Sequence, residues 1–192
     1  MFVLTLSFVI VLFGAQITKR ELLKKSLKKI FWIPIAAVFS LSTIFSALQY
    51  KAWKENAIMK FVFDADGGLI GFVYDAFARH FTSYLLSLAL SILLIMLMIW
   101  ANKRAGRKFF EREEIFIALL AGFLAGFPGL IFFILGLAAV YLLAHLINAI
   151  FPKLAKSKII PLYYFWLPVS ASVIIMSELW LSKLGFWSLL SV

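Results

Sequence analysis

Residues 83–101, SYLLSLALSILLIMLMIWA, hold no charged side chain. A helix crosses the hydrocarbon core of about 30 Å in about 20 residues, so a run of this length is a membrane helix by its dimensions. In lipid every backbone N–H and C=O must find a partner inside the protein, and a helix supplies those partners within one segment. The run has company: residues 2–15 (FVLTLSFVIVLFGA), 30–48, 115–127, 129–151 and 160–176 are apolar too. With 64% hydrophobic and 15% charged residues, a soluble fold would leave much of this apolar surface in water. The expectation is an all-α integral membrane protein, a single membrane domain over 1–192, with about six transmembrane helices.

The basic residues orient this layout. The first apolar segment has no basic residue before it and is followed by ITKRELLKKSLKK, which reads as an uncleaved first helix with the N-terminus outside. Lys19, Arg20, Lys24, Lys25, Lys28 and Lys29 fill one loop, Lys103, Arg104, Arg107, Lys108 and Arg112 a second, and Lys153, Lys156 and Lys158 a third. All three fall on the same side, which the positive-inside rule makes cytoplasmic. Residues 101–114 and 152–158 are then cytoplasmic connections, and 49–82 is an extracytoplasmic interfacial segment with a turn at DADGG (64–68). Phe127-Pro128-Gly129 reads as a tight turn between two spans. Residues 179–191 read as a short re-entrant or interfacial helix. The expected location is the cell membrane, multi-pass, and the net charge of +10 is assigned to topology and anionic lipid, not to nucleic acid. The absence of cysteine excludes disulfides, thiolate metal sites and cysteine catalysis.

Three of the nine acidic residues, Glu111, Glu113 and Glu114, crowd the start of the 115–127 segment. By residue type they complement the positive end of a helix dipole and pair with Arg107, Lys108 and Arg112 in water. Gly122 and Gly126 form a GxxxG pattern that lets helix backbones approach closely. His80 and His145 are the only histidines. Asp75 and His80 could meet, but no acid or histidine pair has metal spacing, so no metal and no cofactor is expected. His145 and Asn148 share a helix face.

Read without gaps, GRKFFEREEIFIALLAGFLAGF (106–127) resembles the second signature of type IV prepilin and preflagellin peptidases, G-R-E-G-x-G-x-G-D-x-K-L-L-A-A-L-G-x-x-L-G. Gly106 and Arg107 match its opening, and Gly122 and Gly126 match its closing glycines. Ile160-Pro161-Leu162-Tyr163-Tyr164-Phe165 stands where that family has a cytoplasmic I-P-F-G-P-F-L. The resemblance implies a six-helix membrane aspartyl protease that cleaves the basic leader of pilin-like precursors at the cytoplasmic face. It carries the second catalytic aspartate to Glu114 and the first, at the end of the first helix, to Gln16. The glycine before the second aspartate falls on Glu113 and the family lysine on Phe116. Glu113, Arg107 and Pro161 are the implied substrate-binding positions.

Both catalytic positions depart from the family. An aspartyl protease needs two carboxylates sharing a proton, one to activate water and one to protonate the leaving group. Glu114 keeps an acid but moves it by a methylene, while Gln16 cannot titrate. The expectation is therefore a divergent, non-catalytic relative, or an aspartic-type endopeptidase if active. The alternatives are a non-enzymatic membrane subunit or transporter scaffold, and a glutamate/histidine intramembrane protease in which Glu113 or Glu114 meets His145. The expected partners are membrane lipid and a pilin-like precursor peptide, while the oligomeric state is left open.

Overall fold

The computed structural model describes residues 1–18, 26, 29–56, 59–60, 68–104, 112–150, 162–180 and 183. Among them there is no strand. Helix α1 is Phe2–Thr18, α2 Trp32–Glu55 and α3 Gly68–Phe77. A π turn, Ala78–Thr82, runs straight into α4, Ser83–Arg104. Then come α5, Arg112–Ala125, α6, Gly129–Ile150, a 3-10 turn, Leu162–Tyr164, and α7, Trp166–Leu179. Three helical runs are long and apolar enough to cross a membrane: Trp32–Glu55, Gly68–Arg104 and Gly129–Ile150.

The centre of the fold is the short helix α5. Its 14 residues rise about 21 Å, short of the roughly 30 Å of a hydrocarbon core. A helix apolar on every side is a buried helix, and Ala118, Ala121 and Phe123 are fully enclosed. Small residues let its neighbours close in: a methyl group added at Gly122 would lie 2.6 Å from Ser91 Oγ on α4. Hydroxyls staple the contact. Ser87 Oγ donates to the Gly122 carbonyl at 2.8 Å, and from α7 Ser170 Oγ donates to the Ala121 carbonyl at 2.8 Å. With these groups buried inside the protein, such bonds replace solvent for them.

Gly126 ends α5 in the left-handed region, φ +66°, the usual role of glycine just past a helix C-terminus. The expected turn at Phe127-Pro128-Gly129 is present, with a cis Phe127–Pro128 bond. Its backbone pairs with α4: Ser83 Oγ donates to the Phe127 carbonyl at 2.6 Å, and the Phe127 N–H donates to the Ser83 carbonyl at 3.2 Å.

Within 49–82 the helices run past the span ends expected from the sequence. Helix α2 does not stop near residue 48 but continues to Glu55. Residue 83 is not a helix start either, because Gly68–Arg104 is one run of 37 helical residues. The physical reason is that the polar residues here bond one another across two helices. Gln49 Nε2 donates to Asp75 Oδ2 at 2.6 Å, and Gln49 Oε1 lies 2.8 Å from His80 Nε2. Since the Gln49 amide nitrogen faces a carboxylate, its oxygen faces His80, whose Nε2 must carry the proton. Arg79 Nε lies 2.9 Å from both Asp75 oxygens. Asp75 and His80 thus meet through Gln49. Tyr50 and Trp53 set their rings on Phe72, each 5.4 Å away, so α3 packs along the end of α2. Residues 64–67 of the DADGG turn, the loop connections at 105–111 and 151–161, and nearly all of 181–192 lie outside the described residues.

Candidate functional site

Gln16 sits on the inward stripe of α1, where Thr5, Val9, Leu12 and Gln16 are the buried residues. Their spacing of three and four is that of one helix face. Gln16 is therefore driven into the protein by its apolar neighbours and is only 1% exposed. Its Nε2 donates to the Tyr163 carbonyl in the 3-10 turn at 2.6 Å. Its Oε1 is buried with no hydrogen-bond partner among the described residues.

Glu114 enters the same region from α5. It lies in the first turn of that helix with Glu113, and the two carboxylates diverge. Glu113 is half-buried. Glu114 is 4% exposed, and its Oε1 accepts from the Trp166 indole Nε1 at 3.1 Å. The expectation of a solvated acid cluster thus fails at Glu114, because the helix face that carries it is the buried one. Trp166 itself leans on Phe133 of α6, with ring centroids 6.1 Å apart.

The chain segment from Tyr163 to Trp166 is thus the meeting point, holding Gln16 at one end and Glu114 at the other. Gln16, Glu114, Tyr163 and Trp166 are all buried. An amide and a carboxyl placed so can accept and orient hydrogen bonds, but they cannot exchange a proton as two acids would. The family lysine position, Phe116, is a packing residue whose ring stands edge-on to Phe31 at 5.7 Å. Arg107 and Pro161 lie outside the described residues. His145 sits against Tyr141 of its own helix, ring centroids 4.3 Å apart, whereas Glu114 is turned to Trp166 of α7. Among the described residues no three His, Asp or Glu side chains gather as a metal site would require.

Reasoning from sequence missed Trp166. The usable signal is that a buried indole N–H seeks an acceptor, and Trp166 follows directly on the 160–165 match. No protein-family model matches the chain, and no curated protein and no solved structure matches it.

Proposed function

We propose that this chain is a multi-pass protein of the cell membrane, built on the plan of prepilin peptidases, that engages pilin-like precursors without cleaving them. The observation that carries the reading is the placement of Gln16 and Glu114. Far apart in sequence, they are buried against the same short segment, at the two positions where the resemblance puts the catalytic acids. Gln16 supplies no titrating group, and both side chains are closed to solvent, while hydrolysis has to admit water. On this reading the pair is a hydrogen-bonded joint holding α1, α5 and α7 in register. The positive-inside rule puts the basic loops on the cytoplasmic side, where a precursor leader would lie, and the resemblance implies Arg107, Glu113 and Pro161 as the positions that would contact it.

The test is a precursor-binding and cleavage assay with the protein in lipid vesicles. Wild type should retain a pilin-like precursor and leave its leader intact, and Glu114→Gln should not alter that outcome. Gln16→Asp combined with Glu114→Asp should introduce cleavage, because it restores two acids at the joint and shortens both side chains, which leaves room for a water between them. Leader cleavage by the wild type, or failure to retain any pilin-like precursor, would sink the proposal.

A further inference from the structure

Helices α6 and α7 run antiparallel and close on each other at two glycines. A methyl group added at Gly129 would lie 3.5 Å from Val173, and one at Gly136 would lie 3.1 Å from Val169. Along this seam runs an apolar furrow of about 390 Å³, lined by Phe132, Leu135, Ala139, Val140, Ser172 and Met176 among others. Leu135 and Met176 are 60% and 46% exposed, so the furrow opens away from the core. We propose that residues 184–192, LGFWSLLSV, fold back from α7 as a short helix and fill it. Those residues lie outside the described ones, and the argument comes from where the chain leaves α7 and from what the furrow accepts.

The chain is already turning as it leaves the helix. Trp180 departs from helical geometry at φ −131°, and the Lys183 N–H donates to the Trp180 carbonyl at 3.1 Å, the bond of a tight turn. A reversal there starts the segment at the Met176 end of the furrow, within the short connections usual between antiparallel helices. The segment carries no charge. As a helix it rises about 13 Å, far short of the roughly 30 Å of a hydrocarbon core but enough to run from Met176 past Ser172. Phe186, Leu189 and Leu190 follow at three and four and make one bulky ridge, with Ser188 and Ser191 on the other side. The furrow takes such a ridge, because Gly136, Ala139 and Ser172 in its lining are small. It also offers no hydroxyl donor, since Ser172 Oγ donates to the Pro168 carbonyl at 2.9 Å. A helix keeps its backbone bonds internal and suits such a surface, whereas an extended chain or a polar headgroup does not. The tether favours this segment over a free lipid chain by keeping it close.

The chain has no cysteine, so a pair of introduced thiols reports the contact directly. The full-length Ser172→Cys, Leu190→Cys double variant is oxidised in lipid vesicles and digested with trypsin. Cleavage after Lys158 and Lys183 separates residues 159–183 from 184–192, so the two peptides stay together only through a disulfide. The expected result is a monomeric protein in which they are joined. The Ser172→Cys, Ser188→Cys variant, with its second thiol on the far side of the helix, should link severalfold less. Should the first variant fail to fold, Leu135→Cys with Leu190→Cys approaches from the other wall of the furrow and should link likewise. Linkage into a dimer would assign the furrow to a second copy of the chain. Equal linkage at positions 188 and 190 would mean a segment with no fixed face, and no linkage from either wall would leave the furrow to lipid. Each of these three results overturns the proposal.

Discussion

Two glutamines sit at the heart of two polar regions, and their surroundings give them opposite weight. Gln16 is sealed in the core beside Tyr163, with one end bonded to a carbonyl and the other end buried without a partner among the described residues. Gln49 is half-buried between two helices, with both ends of its amide engaged, one on Asp75 and one on His80. By count of bonds Gln49 looks the stronger. Burial reverses the order. A bond lost in the core leaves a desolvated group behind, which costs about 1–3 kcal/mol, while a bond lost near the surface is largely replaced by water. The lesson is that a polar residue here is weighed by what its partner becomes when it leaves.

The largest effect should follow from Glu114→Ala. It removes a buried side chain, opens a cavity and strands the Trp166 N–H, for a loss of about 3 kcal/mol. The melting midpoint of the purified protein reads it. Trp166→Phe removes the same bond from the other side, so the double variant should lose less than the sum of the two singles. Additive losses would mean that the 3.1 Å contact contributes nothing.

Gln16 comes next and sharpens the contrast. Gln16→Ala should cost about 2 kcal/mol, because a cavity adds to the lost bond. Gln16→Leu should cost about 1 kcal/mol or less, since it fills the space and removes the buried amide oxygen while giving up only the bond to the Tyr163 carbonyl. If Leu is no better than Ala, the amide has a role beyond packing and that single bond.

Much of this arrangement was legible in the sequence. The apolar runs placed the cores of α1, α2, α4, α5, α6 and α7 but not that of α3, Phe127-Pro128-Gly129 marked its turn, and it was the resemblance, not the residue types, that singled out Gln16, Glu114 and residues 160–165. What failed to show was pairing between distant polar residues. Gln49, Asp75, Arg79 and His80 read singly as marks of an interfacial segment. Only the cross-helix bonds explain why helices α2 and α3 carry on through them. The same holds for Ser83, Ser87 and Ser91. They are spaced by one turn on α4, but nothing local says that they face the glycines of α5. Glu114 was misjudged by residue type for a related reason: its exposure depends on Trp166, 52 positions away.

Gln49→Ala tests the half-buried side of the comparison. It removes both the Asp75 and His80 contacts at once, yet water can reach what remains, so a loss of about 1 kcal/mol is expected. The readout is again the melting midpoint, with hydrogen exchange of the Ala78–Thr82 turn as a local check. Faster exchange there with little change elsewhere would show that the amide holds α2 to the π turn. A loss as large as that of Glu114→Ala would break the proposed ranking by burial.

Arg79→Ala should have the smallest effect. The guanidinium lies within bonding distance of Asp75, but the two side chains are 66% and 29% exposed. Exposed ion pairs four residues apart on a helix contribute about 0.3–0.5 kcal/mol and are screened by salt. Asp75 also keeps its bond from Gln49 when the arginine is gone, so no buried charge is stranded. The expected change is a midpoint shift near the limit of detection, vanishing at high salt. If Arg79→Ala instead costs as much as Gln49→Ala and the loss persists in salt, the Asp75 cluster is shielded from water in the membrane. The two glutamines would then stand in equivalent surroundings, and the number of bonds, not burial, would set their order.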